Sequence, residues 1–175
     1  RYTMALRDRV PDSIRLIDAP MSGAQIAAQR KALSFLLGGS IGDLDTLHPL
    51  FNSMGEHFHR MGPFGSGMQA KVLNNLLAAS STAMTRLVLD WADHAGLDEA
   101  GLLDLINTSS GQNWLASGFE SIEFAKHGFE PDNSIAILAK DVEAGLDALD
   151  PCMERDWLTI LPHLLRGLPA YEQDD

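Results

Sequence analysis

Gly65-Ser66-Gly67-Met68-Gln69-Ala70-Lys71-Val72-Leu73-Asn74-Asn75 is a glycine-rich turn that runs into a helical pattern. Residues four apart share a helical face, so Lys71 and Asn75 point together. Both are polar, on a helix whose other positions (Val72, Leu73, Leu76, Leu77, Ala83, Met84, Leu87, Val88) suit burial. Lys71 also sits in the first turn, where the positive end of the helix dipole disfavours an ammonium, and burial acts in the same direction. A lysine so placed can accept and donate a proton near neutral pH.

Outward from this stretch the pattern changes. Downstream, helical spacing holds to about Ala95, where Gly96 supplies a stop; a helix over 68–95 would be a rod of roughly 40 Å. Asp98 is placed to cap a shorter helix through Ile106, Asn107 to Asn113 is a polar loop, and Trp114 to Ala125 is expected to be helical. Pro131-Asp132-Asn133 starts another helix that Pro151 ends, and Met153 to Leu165 closes the set with a kink expected at Pro162. Upstream, Ser13 to Asp18 reads as a short strand, 25–32 as a weak helix, and Leu33 to Leu37 as a buried strand bounded by Gly38-Gly39. Leu44 to Met54 has helical spacing, and His57 to Met61 is a third candidate strand.

A second segment, Asp18-Ala19-Pro20-Met21-Ser22-Gly23-Ala24 followed by Leu33 to Gly39, adds to the glycine turn. Together they resemble the β-hydroxyacid dehydrogenase family, which includes 3-hydroxyisobutyrate dehydrogenase, tartronate semialdehyde reductase and, more distantly, 6-phosphogluconate dehydrogenase. Ala95-Gly96-Leu97-Asp98, Ser110-Gly111-Gln112-Asn113-Trp114 and Lys140-Asp141 match in the same order. The resemblance implies a mainly α chain. Residues 1–66 would be a remnant of an α/β Rossmann-type dinucleotide-binding domain, its last few strands, and residues 67–175 an all-helical substrate and dimerisation domain. It implies NAD or NADP as cofactor, a small β-hydroxyacid or its semialdehyde as substrate, and a homo-oligomer formed through the 68–95 helix.

The resemblance also implies roles. Lys71 is the general acid/base; Ser22 and Gly23 hold the substrate carboxylate; Asn75, and less directly Asn74, orient the substrate; Lys140 reaches the nicotinamide side of the cofactor. Two positions depart from the family pattern: Ala24 replaces a glycine, and Lys31 stands where the family usually has one. An alanine at 24 would narrow the pocket, or disturb the loop if a positive φ were required there. Each residue also has a plainer reading. Lys71 could be a solvated lysine, Ser22-Gly23 a strand-to-turn transition, Lys140-Asp141 a charged pair on a solvated face, and Ser109, Ser110 and Asn113 helix caps.

Members of this family begin with a strand and a Gly-x-Gly-x-x-Gly phosphate loop, which this chain lacks ahead of its Asp-Ala-Pro segment. Gly65-Ser66-Gly67-Met68-Gln69-Ala70 fits that fingerprint formally. It follows a poor buried strand, however, and Asp90, the acidic residue about twenty positions on, falls within a helix. The turn is therefore read as the entry to the long helix. The 175-residue chain is expected to be inactive alone, retaining the substrate half of the site. A non-catalytic helical association module is the alternative, and within the family so are a 6-phosphogluconate dehydrogenase-like and an imine-reductase-like member.

Composition narrows the partners. With 24 acidic against 13 basic residues and a formal charge of −11, nucleic acid and anionic membranes are not expected partners. The single cysteine, Cys152, allows no internal disulfide, in keeping with a cytoplasmic setting. No apolar run is long enough to span a bilayer. His57 and His59 have strand spacing for metal ligands, but no third ligand is evident, and no metal is expected. Trp91, Trp114 and Trp157 are expected in the core or at a subunit contact.

Overall fold

The computed structural model describes residues 2–148 and 159–171, without the side chains of residues 24–26 and 148. Cys152, Trp157 and the acidic tail beyond Tyr171 lie outside the described residues, as does most of the segment expected to lead into the last helix. The elements in order are α1 (Tyr2–Arg7), β1 (Met21–Ser22), α2 (Ala24–Gln29), β2 (Leu33–Gly38), α3 (Ile41–Asn52) and β3 (Gly55–Gly62). These are followed by α4 (Ser66–His94), α5 (Glu99–Thr108), α6 (Trp114–Ser117), α7 (Ser134–Ala148) and α8 (Ile160–Arg166). The fold is mainly α with a small three-stranded sheet. It divides into two compact units, Arg1–Leu73 and Asn74–Asp175, and the division falls inside α4.

In the first unit the sheet order is β1-β2-β3. β2 and β3 are parallel, joined by α3; parallel neighbours need such a crossover because a tight turn can only reverse the chain. Ser40 starts α3 by accepting from the Asp43 amide, satisfying one of the donors a helix start leaves open. Leu33, Phe35 and Leu37 alternate along β2 and pack with Leu44 and Phe51 of α3 into one apolar cluster. β3 is exposed along most of its length, with Phe58 stacked on Phe35 as its main anchor.

The strand expected over 13–18 begins later. Asp18 bridges Gly38, and Met21 and Ser22 pair antiparallel with Phe35 and Ser34. In that register, residues before Asp18 would need partners beyond Gly38. There the chain is already turning at Gly39, whose φ is 155°, into α3. Ser13 to Ile17 is therefore irregular.

The second unit has two apolar clusters. One joins Ala79 and Ala83 of α4 to Ile135, Val142, Leu161 and Leu165. The other joins Leu89 to Leu103, Leu115, Phe119 and Ala125. Asp98 caps α5 through the Gly101 amide, and Asn133 caps α7 through the amides of Ile135 and Ala136. The helix expected over 114–125 stops at Ser117, and tight turns follow from Gly118 to Ala125. Gly118 closes α6 as its C-cap, and Arg86, 3% exposed, donates to the carbonyls of Ala125, His127 and Pro169, which ties down the chain after the turns. Of the helix expected over 153–165 the described part is α8, where Pro162 falls in the first turn and a missing N–H costs nothing.

Candidate functional site

The glycine turn closes on a carboxylate. Asp18, 7% exposed, accepts from the Gly65 amide through Oδ1 and from the Met68 amide through Oδ2, each at 2.6 Å. These are donors that the start of α4 would otherwise leave unpaired. Asp18 is also tied to the end of β2 through both its backbone groups and those of Gly38. A Cβ at Gly67 would lie 2.3 Å from the Leu36 carbonyl oxygen, and one at Gly38 would lie 2.1 Å from Asp18 Oδ1. Both glycines are there because the helix end and the sheet meet with no room for a side chain.

This geometry decides between the two readings of the turn. In a phosphate loop the amides are left for an anion from outside. Here the protein's own carboxylate occupies two of them, so the turn does not fit the pyrophosphate of a dinucleotide.

On α4, one turn apart, stand Lys71 and Asn75. Lys71 is half-buried and Asn75 is 7% exposed. The Asn75 Nδ2 donates to Asp141 Oδ2 on α7 at 2.6 Å, the length of a charge-assisted bond. Asn74 and Lys140 are both exposed. Of the Lys140-Asp141 pair, the aspartate is thus the member joined to the α4 residues, a partnership that sequence reasoning missed. Its signal was present, since Asp141 belongs to the matched pair, but one sequence does not show which of two adjacent charges turns inward. In the sequence Asp18 likewise reads as a strand end and the first residue of the Asp-Ala-Pro segment, with no sign of a cap. Its capping role depends on residues 47 and 50 positions away.

Ser22, half-buried, ends β1 opposite Ser34. Gly23 follows with φ at 128°, and a Cβ there would meet Ala27 Cβ at 2.5 Å, so glycine is required on both counts. Ala24 opens α2 with helical backbone, so position 24 needs no positive φ; its side chain lies outside the described residues. Lys31 is the one non-glycine residue with positive φ, 56°, among those described. That is the conformation for which glycine is the least strained residue.

Other candidates are resolved by their partners. Asn113 caps α6 through the Ala116 amide and accepts from Thr85. Trp91 and Trp114 are exposed rather than in the core. Among the described residues no cluster of three or more His, Cys, Asp or Glu could hold a metal ion, and no helix is long and apolar enough to cross a membrane. A cavity of about 660 Å³ in the second unit, lined by Arg86, Asp90, Asp93, His163 and Tyr171 among others, contains none of the predicted site residues.

Comparison with known proteins bears on both parts of the chain. Residues 65–153, half of the chain, match the family model described as the NAD-binding domain of NADP-dependent 3-hydroxyisobutyrate dehydrogenase. Residues 6–62 match the NAD binding domain of 6-phosphogluconate dehydrogenase. The mitochondrial 3-hydroxyisobutyrate dehydrogenase of Mus musculus is 30% identical over 138 residues, covering 75% of this chain and 41% of that protein. An NAD-dependent L-serine dehydrogenase of Pseudomonas aeruginosa is 36% identical over 110 residues, covering 63% and 36%. A crystal structure of 3-hydroxyisobutyrate dehydrogenase from Salmonella typhimurium shares the fold with a TM-score of 0.67 at 19% identity, covering 95% of this chain and 56% of that one. The chain thus spans about two fifths of the length of these curated relatives.

Proposed function

Because the chain belongs to the 3-hydroxyisobutyrate dehydrogenase family of NAD(P)-dependent oxidoreductases, we propose that it carries the substrate half of such an enzyme. The substrate would be a small β-hydroxyacid or its semialdehyde. The observation that carries this reading is the pair Lys71 and Asn75, one turn apart on a helix whose start is held by Asp18, with Asn75 itself held by Asp141.

In this reading Ser22 and Gly23 hold the substrate carboxylate, a small hydroxyl and an unhindered amide being suited to an anion. Asn75 orients the hydroxyl, with Asn74 at the edge of the same face. Lys71, in its neutral form, accepts the hydroxyl proton during oxidation and returns it during reduction. Lys140, exposed on α7, is the residue offered to the cofactor. NAD(P) supplies the hydride chemistry, while the protein supplies orientation and proton transfer.

Replacing Lys71 with alanine in a full-length enzyme should remove most turnover while leaving cofactor affinity close to wild type. Turnover near the wild-type rate would show that the proton passes elsewhere. Within the family, 6-phosphogluconate enzymes carry histidine where this chain has Asn74, and imine reductases tend to replace the lysine, so the hydroxyacid reading is preferred.

A non-catalytic association module is the second reading. It is favoured by one observation: Leu77, Met84 and Trp91, at seven-residue intervals along α4, are 72%, 49% and 63% exposed. The two readings share a homo-oligomer formed through α4 and differ in whether Lys71 turns over substrate.

A further inference from the structure

Asp18 sits at a junction that the proposed chemistry does not use directly. Its backbone pairs with Gly38 at the end of β2, while its carboxylate holds the Gly65 and Met68 amides at the start of α4. Ser22 follows it by four residues, at the end of β1, and Lys71 follows Met68 by three along α4. Three helical residues advance about 4.5 Å, so Lys71 lies one short helical step from the pinned amide, and Ser22 lies four residues along the chain from Asp18.

No slack exists in the connection. Gly67 and Gly38 leave no space between helix start and sheet end, and Gly65, whose amide donates to Oδ1, turns into the helix with a φ of 97°. A carboxylate has two oxygens that only accept, and two amides take one each. An asparagine of the same size offers one acceptor, and its NH2 would face the second amide donor to donor.

We infer that Asp18 is a positioning residue, setting where Lys71 stands relative to the Ser22-Gly23 loop by pinning the first turn of α4 to the sheet. This rests on the proposed roles of Lys71 and Ser22. A displacement of an ångström between reacting groups is enough to cost about a hundredfold in rate. The role therefore differs from stability alone: a core substitution of equal thermal cost, away from this junction, leaves the spacing intact.

The test compares Asp18→Asn with Phe51→Leu, a change in the apolar cluster between α3 and the sheet, in the full-length enzyme. Melting temperature, kcat and the KM values for hydroxyacid and cofactor are measured for each. The expected result is a loss of kcat of about tenfold or more in Asp18→Asn with cofactor KM unchanged, while Phe51→Leu, despite its lower melting temperature, keeps kcat within about twofold. Equal losses in the two variants, or a kcat within about twofold of wild type in Asp18→Asn, would overturn the inference. If the asparagine variant does not fold, Asp18→Ser, a cap that serves one amide, takes its place with the same expectation. In the 175-residue chain itself, the Gly65 and Met68 amide proton resonances should lie downfield and move together in Asp18→Asn or Asp18→Ser. If neither moves, the pinning contact is absent, whatever the fate of Lys71→Ala. Survival of turnover in Lys71→Ala alone instead rejects the proposed function and leaves the amide result standing.

Discussion

Lys31 shows how one backbone angle can expose a departure from a family pattern. Its φ of 56° places a branched-free but bulky residue in the left-handed region, where an L side chain costs roughly 1–2 kcal/mol. Glycine would remove that strain but lose more freedom on folding. Lys31→Gly should therefore stabilise the chain by a net amount of about 0.5 kcal/mol, read as a higher midpoint in urea with an unchanged slope. Tyr171 offers a second test at this scale. Burial raises its phenol above the ordinary tyrosine range, and donation of its hydrogen to Glu99 adds to this. A folded value above the unfolded one means the contribution is complete below about pH 10 and lost as pH rises through the folded value. Titrated by phenolate absorbance, Tyr171 should ionise later than free tyrosine, and Tyr171→Phe should flatten the loss of stability above about pH 10. Ordinary ionisation at Tyr171 in the folded protein would contradict the contact.

At the scale of elements, α4 decides most of what the chain can do. Its length was legible from the apolar spacing and the Gly96 stop, because a 3.6-residue period repeated over eight turns has no strand reading. Its start was legible only in part: the glycines announced a turn, but not that Asp18 would fill it. The repeat of Leu77, Met84 and Trp91 was likewise visible as apolar spacing, but spacing did not separate the core from a subunit contact; the three are exposed. Seven-residue recurrence along one helix face is the pattern by which helices pack against one another, and exposed apolar stripes of this kind mark association surfaces. In the homo-oligomer proposed through α4, Leu77→Glu combined with Trp91→Glu should leave a monomer in light scattering while the helix content stays constant. A wild-type chain that is monomeric at high concentration would remove the interface from α4.

For the whole molecule, the filled glycine turn has a direct consequence. On the proposed half-site reading, that turn offers the pyrophosphate no cradle, and contacts on the nicotinamide side would have to offset the cost of immobilising a dinucleotide. That reading predicts that the 175-residue chain is catalytically silent and binds neither NADH nor NADPH in the micromolar range by fluorescence titration. Micromolar binding would place a cofactor site among these residues and reject the half-site reading.

What the sequence by itself determined was local: the long helices and the strands β2 and β3, the order of the family motifs, and the shared face of Lys71 and Asn75. These follow from periodicity and turn chemistry, which act over a few residues. The tertiary structure alone decided the long-range pairings, because a carboxylate finds its partners through the folded chain and not along it. Asp18 with the amides of Gly65 and Met68, Asp141 with Asn75, and Arg86 with the carbonyls of Ala125, His127 and Pro169 each join residues dozens of positions apart. Burial sets their strength, since an unpaired polar group away from water is costly enough to override local preference.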